Sequence, residues 1–295
     1  MTQGVPVQSS SSSLSRRSLL YLAGAAVTLP LVPVARAGAA PAQAAASPRP
    51  LPLKIGVASY SLRKFPRDKA IAALKQLRVK YVTIKDVHLA RTDTPEQIRA
   101  ARKEFEDAGI TIMGGGTLTW KTPDEAGMRK DFEYAKAAGM PLVVCSPAPD
   151  TLDLLEKMVK EFDIKAAIHN HGTEDPWWPA PSDVLKKIDK RDPRVGVCMD
   201  IGHATRAGAD VVKTVALAGP RLLDLHVKDL ADGTNRDSQV EVGRGILPVV
   251  AVFKELVRTK FQGHVSLEYE INADDPVPGM LESLSYMRGI AATLA

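Results

Sequence analysis

Cysteine is scarce here, two residues in 295, and two isolated thiols cannot make the disulfide framework of a small secreted scaffold. Cys145 and Cys198 fall inside apolar runs, Leu142 to Cys145 and Val195 to Met199. They read as buried small hydrophobes, with a bridge as the alternative. Aromatic residues are also few, at 5%, and no basic stripe interleaves with them, which excludes nucleic acid as a partner. An excess of one charge is lacking once the N-terminus is set aside. Residues Met1 to Ala44 hold three Arg and no acid, so the formal +5 falls to +2, with 36 basic and 34 acidic residues. That balance predicts no electrostatic partner. Beyond Val34 no apolar run is long enough to cross a bilayer. The turn Ser59-Tyr60-Ser61-Leu62 lacks the glycine fingerprint of a dinucleotide fold.

The N-terminus follows a different grammar. A Ser run, Arg16-Arg17, an apolar stretch from Leu19 to Val34 broken by Pro30 and Pro33, and small-residue cleavage candidates at Ala35-Arg36-Ala37 and Ala42-Gln43-Ala44 make a cleavable signal peptide. Ser15-Arg16-Arg17-Ser18-Leu19-Leu20 resembles a twin-arginine signal, which carries folded proteins. A membrane anchor is the rival reading, disfavoured by the short, proline-broken run. The expectation is a periplasmic or secreted protein with no stable membrane anchor after cleavage. Residues 1–50 would be leader and linker, and residues 53–295 one domain.

From Leu53 onward the hydrophobic period alternates between strand and helix. Short apolar runs occur at Lys54-Ser59, Tyr81-Lys85, Thr111-Gly114, Leu142-Ser146, Ala166-Asn170, Val195-Asp200, Leu222-Lys228 and Val265-Tyr269. Between them lie amphipathic stretches at Arg67-Gln76, Pro95-Ala108, Asp124-Ala138, Thr151-Phe162, Ser182-Asp189, Ala209-Ala218, Leu247-Thr259 and Pro278-Leu294. Strict alternation of this kind means βα units and a parallel sheet. Eight units predict an α/β fold closed as a (β/α)8 TIM barrel, in which Gly109 and Gly139 end helices and Gly114-Gly115-Gly116 lets the third strand end close to a substrate.

Barrel strands are apolar on both faces, so a charged residue at a strand end needs a reason. Lys85, His169, His171, Asp200, His226, Lys228, Glu268 and Glu270 all fall at C-terminal strand ends, the face where barrel active sites are built. Five of six histidines, His88, His169, His171, His203 and His226, sit there or just beyond, and His264 alone starts a strand. Imidazole and carboxylate donors converging from adjacent strands suit one divalent metal ion: Mn, Zn, Co, Fe or Mg. His169, Asp200, His226 and Glu268 are the expected ligands.

The runs Ala166-Ala167-Ile168-His169-Asn170-His171-Gly172, Cys198-Met199-Asp200-Ile201-Gly202-His203, Leu225-His226-Val227-Lys228-Asp229 and Ser266-Leu267-Glu268-Tyr269-Glu270, with Gly243-Arg244-Gly245 and Pro248, carry a resemblance. They resemble the xylose isomerase-like TIM barrel superfamily, specifically its sugar phosphate isomerase/epimerase group, over about residues 53 to 292. The resemblance implies Asp200, His226 and Glu268 as the last three metal ligands and His203 as a contact to a substrate oxygen. It implies a glutamate as first ligand, where this chain has His169. It also implies a carbohydrate substrate and a homo-oligomer, since dimers and tetramers are common in that group.

The chemistry expected is a sugar isomerase or epimerase. A metal polarises a carbonyl as a Lewis acid, giving an enediolate after a base takes the α-proton. Glu268 is the candidate base, with Lys85 as oxyanion donor or second proton carrier in competition with His169 and His171. A structural ion pair of Lys85 with Asp86 or Glu268 is the alternative. His203, His171, Lys228, Glu270, Trp177 and His88 are expected to contact substrate, the first tryptophan by stacking on a pyranose unless Trp177 and Trp178 only cover the mouth. Export favours a free sugar, glycoside or polyol derivative over a phosphorylated one. Loss of the first carboxylate to His169 favours a second reading, a lyase that eliminates the aglycone from a 3-keto-glycoside. A non-catalytic sugar-binding protein is a third, and endonuclease activity is disfavoured by charge and by too few ligands for three metals.

Overall fold

A computed structural model describes residues 50–295. The expected leader, except Pro50, lies outside the described residues. Eight parallel strands close on themselves: β1 (Lys54–Ala58), β2 (Tyr81–Ile84), β3 (Thr111–Trp120), β4 (Leu142–Pro147), β5 (Lys165–His169), β6 (Val195–Asp200), β7 (Leu222–Val227) and β8 (His264–Leu267). Neighbours in the barrel are neighbours in sequence, and β8 pairs with β1 from Lys54↔His264 to Val57↔Leu267. The barrel expected from the alternation is therefore the fold observed.

The helices are α1 (Arg67–Gln76), α2 (Pro95–Asp107), α3 (Glu125–Ala137), α4 (Leu152–Phe162), α5 (Pro181–Ile188), α6 (Ile201–Arg206), α7 (Val211–Ala218), α8 (Val249–Arg258) and α9 (Val277–Thr293). Local chemistry sets their ends. Thr94 and Gln97 form a reciprocal capping box ahead of α2, with Pro95 in the first turn, so two orphan N–H groups are satisfied and none is wasted on proline. Helices α2 and α3 end before Gly109 and Gly139 at φ +73° and +67°, the left-handed stop that glycine supplies without strain.

Three features depart from the sequence pattern. Helix α6 follows β6 without a loop and is too short to show a period. A two-residue hairpin, Asp229–Leu230 with Gln239–Val240, rises beyond β7. Strand β3 continues to Trp120 rather than ending at the glycines; Gly114 and Gly115 pass where a Cβ would meet Leu142 and Met140.

Side chains alternate along each strand, and this decides which residues meet. On β5 to β8, Ile168, Met199, Leu225, Val227, Val265 and Leu267 point outward into the main apolar layer with Leu74, Phe105, Phe132, Val184 and Phe253. Each large side chain so buried contributes roughly 1.5–3 kcal/mol. The intervening positions face the barrel interior. A small plug of Leu142, Val144, Ala167 and Cys198 fills part of it. The rest is polar: Thr83, Asp224, His264 and Ser266 in a lower layer, and His169, Asp200, His226, Lys228 and Glu268 above them, none more than 9% exposed. Cys145 and Cys198 are free and fully buried. Among the described residues no helix is long and apolar enough to cross a membrane.

Candidate functional site

His169, His226, Lys228 and Glu268 of the upper polar layer form the floor of a cavity of about 800 Å³ at the C-terminal end of the barrel, Asp200 being fully buried. Four strands each deliver one donor. His169 is the last residue of β5 and Asp200 the last of β6; His226 sits opposite Asp200 in register on β7, and Glu268 follows β8. Their donor atoms all lie within 4.8 Å of one another. His169 Nε2 is 3.1 Å from His226 Nδ1 and 3.9 Å from Asp200 Oδ2. His226 Nδ1 is 3.3 Å from Glu268 Oε2.

Neighbouring backbone fixes these side chains. Asp200 caps α6, its Oδ1 accepting the His203 N–H at 2.7 Å, which leaves Oδ2 to face the cluster. Asn170 ties β5 to β6, its Nδ2 donating to Asp200 O at 3.1 Å and its Oδ1 accepting the Asp200 N–H at 2.9 Å. Gln239, from the hairpin, does the same past β8, donating to Glu268 O at 2.8 Å and accepting from Glu270 N at 3.0 Å. A donor set needs such support to hold its geometry.

Lys228 lies in the midst of the carboxylates. Its Nζ is 3.0 Å from Asp200 Oδ2 and 3.0 Å from Glu268 Oε2, and it also bonds Glu270. Burial disfavours the ammonium, but Asp200, Glu268 and Glu270 outweigh burial and hold it well above the ordinary lysine value. Burial likewise works against an ionised Glu268, and Lys228 and His226 overcome it, keeping that carboxyl well below the usual range. His169 is driven the other way, by burial and by its imidazole neighbours, and is neutral.

These residues fit a divalent cation. Asp200 Oδ2 is fully buried and makes no hydrogen bond of normal geometry, its near neighbours being the Lys228 ammonium at 3.0 Å and His169 Nε2 at 3.9 Å, and a buried carboxylate oxygen among imidazole nitrogens that can shed their protons is what a cation relieves. Two nitrogens and two oxygens suit Zn, Mn, Co or Fe better than the all-oxygen shells of Mg. Behind the cluster, His226 Nε2 lies 3.6 Å from Asp224 Oδ2, the arrangement in which a carboxylate orients a ligand histidine.

Of the remaining expected residues, Lys85, His171, His203, Lys228 and Glu270 line the cavity. Lys85 makes no ion pair among the described residues, neither with Asp86 nor with Glu268; its Nζ lies 5.8 Å from the centre of the Tyr60 ring. Two expectations require correction. His88 is 1% exposed and faces away from the cavity, its Nδ1 bonded to Ser59 Oγ at 2.9 Å and its Nε2 to the Leu62 and Phe65 carbonyls at 3.2 Å. It pins the turn after β1 by bridging Ser59, Leu62 and Phe65. Trp177 packs against the apolar core rather than lining the cavity, and Trp178 is buried with its indole N–H on Pro147 O at 2.6 Å. Asp175 Oδ1 holds both their backbone N–H groups, at 2.8 and 2.9 Å, which turns the rings onto the barrel wall. His264, as its place at a strand start implies, lies low in the barrel against Thr83 and Ser266.

Sequence reasoning did not single out Tyr60, Arg63, Glu174, Arg206 and Gln239, all of which line the cavity. They stand on loops, on the short hairpin and on the short α6, where no period marks them. Their signal was proximity to the strand-end motifs, Arg206 being three residues beyond His203.

Comparison with known proteins agrees with this geometry. Residues 71–290 match the family described as xylose isomerase-like TIM barrel. Over 94 residues the chain is 32% identical to an uncharacterized protein of Mycobacterium tuberculosis (strain ATCC 25618 / H37Rv), a match covering 30% of this chain. The chain thus spans about a third of the length of the curated relatives it matches. Among solved structures, an uncharacterized protein from Parabacteroides distasonis ATCC 8503 is 27% identical, with TM-score 0.64, covering 81% of this chain and 99% of that one. The 3-keto-D-glucoside 4-epimerase YcjR from E. coli is 17% identical with TM-score 0.64, covering 80% and 99%. The IOLI protein with a bound zinc atom is 15% identical with TM-score 0.68, covering 82% and 99%; these last two likenesses are of fold. With a closed eight-stranded barrel, converging strand-end donors and a match running through most of its length, this chain belongs to the xylose isomerase-like TIM barrel family.

Proposed function

We propose that this protein is a divalent-metal-dependent sugar isomerase or epimerase that works by removing a proton from the carbon next to a carbonyl. One observation carries the reading: Glu268 is the only carboxylate of the four-donor cluster that also lines the cavity. His169, Asp200, His226 and Glu268 would hold the ion. When bound, it supplies Lewis acidity toward a carbonyl oxygen. The remaining chemistry belongs to the chain. Glu268 takes the α-proton, and Lys85 or His171, which also line the cavity, returns one. Lys228 sets the strength of the base. A carboxylate is a weak base, and a ketose or keto-sugar offers it a proton made acidic by the neighbouring carbonyl. The family membership and the fold likeness to a 3-keto-D-glucoside epimerase support a carbohydrate. The export signal read at Arg16-Arg17 favours one without phosphate.

A second reading has an observation of its own. His169 stands where the family resemblance puts a glutamate, and elimination of an aglycone from a 3-keto-glycoside needs no second carboxylate on the opposite ring face. One experiment separates the two. Metal-loaded protein is incubated with ketoses and keto-glycosides in deuterated water, and α-carbon exchange and free aglycone are followed together. Exchange without release is the expected result; release moves the assignment to the lyase, and neither event overturns both. Glu268→Gln should lower exchange by roughly 100-fold or more while leaving the barrel folded.

A further inference from the structure

His203 lines the cavity on the first turn of α6, half-buried, with its ring centroid 5.9 Å from that of His171 and 6.0 Å from that of His169. Its Nδ1 lies 3.1 Å from Arg206 Nη1. A guanidinium has five N–H donors and no acceptor, and it does not lose its proton in a protein. The roles in that contact are therefore fixed by chemistry: Arg206 donates, and His203 Nδ1 presents a lone pair. An imidazolium would set N–H against N–H there, and the other neutral tautomer would do the same. What remains is neutral His203 with its proton on Nε2. Among the described residues that N–H has no partner, and it opens to the cavity.

The arginine is itself held. Its side chain is only 4% exposed, and its second Nη donates to Glu174. The spacing of Arg206 and His203, three residues apart on one helical turn, brings the two side chains to the same face. Gly172 makes room for the guanidinium: a Cβ at that position would lie 3.1 Å from Arg206 Nη1 and 3.1 Å from Glu174 Oε2, and φ there is +85°. The glycine that follows His169-Asn170-His171 thus serves the arginine.

We infer that Arg206 is a positioning residue that locks His203 in the Nε2–H tautomer, making it a hydrogen-bond donor to a substrate oxygen and debarring it from acting as a base. The oxygen it meets must be an acceptor, a carbonyl or a hydroxyl lone pair, and the proton abstraction falls to other groups. The role toward substrate rests on the keto-sugar reading above, but the tautomer does not.

The test is nitrogen NMR on the metal-free full chain labelled with 15N-histidine, the His203 signals being assigned by their loss in His203→Asn. The expected spectrum shows His203 with a protonated Nε2 and a bare Nδ1. Arg206→Lys keeps a donor at that place and retains the pattern. Arg206→Met removes it, and a mixture of the two tautomers appears. A protonated Nδ1 in the unsubstituted protein, or an unchanged tautomer in Arg206→Met, overturns the inference. If Arg206→Met fails to fold, the unsubstituted spectrum alone still decides. On keto-sugar substrates Arg206→Met should lower kcat by about 10-fold to 100-fold, toward the loss typical of a misplaced oxyanion donor, with KM little changed and kcat largely restored in Arg206→Lys. A loss confined to KM would overturn the role toward substrate. Absence of any turnover by the unsubstituted protein, with the tautomer as expected, would count against the sugar reading and leave the lock in place.

Discussion

Replacing Lys228 with methionine tests how charge is arranged on the cavity floor. The ammonium contacts Asp200 Oδ2 and Glu268 Oε2 at 3.0 Å each, and Glu270 as well, at 3% exposure. Methionine keeps much of the volume and removes the charge. Three carboxylates are then left facing one another, those of Asp200 and Glu268 buried and that of Glu270 part-exposed, and removing one partner of a buried ion pair costs about 3–5 kcal/mol. A dication on the same oxygens relieves that repulsion, so metal and ammonium compete. Denaturant melts of Lys228→Met in chelator should show a loss of about 3–5 kcal/mol against the unsubstituted protein. Saturating Mn or Zn should recover most of it. Because stabilisation by a ligand grows with its affinity, calorimetric titration should find the ion bound at least about tenfold tighter in Lys228→Met, a difference of about 1.4 kcal/mol. An affinity equal to or weaker than that of the unsubstituted protein would refute the competition, and with it the claim that Lys228 shares its carboxylates with a cation.

Three further outcomes follow from individual residues. His264 is held down to about 4 by burial, so it stays neutral in the fold while the unfolded chain takes up a proton near pH 6.5. Its contribution is complete above about pH 6.5 and is lost as pH falls toward 4. At about 1.4 kcal/mol per pH unit the loss is about 3 kcal/mol, and chelator-treated His264→Asn should lose less stability over that window by about this amount in urea melts. Trp177→Ala should leave KM within about twofold, since the ring packs on the core, whereas Tyr60→Ala, at the cavity wall, should raise KM roughly fivefold, about 1 kcal/mol. Asp229→Ala removes an acceptor for the N–H groups of Gly243, Gly245 and Leu247 at 2.9, 3.0 and 3.1 Å; loss of at least about 2 kcal/mol in a denaturant melt is expected.

The barrel was legible because its two periods are long and regular: every barrel strand and all but one helix could be placed from apolar spacing. Helix α6 escaped because six residues hold fewer than two turns. The donor cluster was legible for a related reason. Strand residues two apart share a face, so a charged residue ending an apolar strand has to point into the barrel or break the core, and His169, Asp200, His226 and Glu268 all do the former. Histidines in loops carry no such rule. His88 looked equivalent to His203 in sequence, yet one ties down a turn and the other faces the cavity, and only the path of the chain distinguishes them. The tryptophans misled for the opposite reason: a Pro-rich loop suggests exposure, while the Asp175 carboxylate folds that loop back on the wall.

On the proposed reading, four side chains from four adjacent strands share one ion. Its most direct test is metal content measured by elemental analysis after dialysis against Zn or Mn, for the unsubstituted protein and for His169→Ala, Asp200→Ala, His226→Ala and Glu268→Ala. One ion per chain is expected in the first and substantial loss in each of the others. No bound metal in the unsubstituted protein, or one ion retained undiminished through all four substitutions, would contradict it.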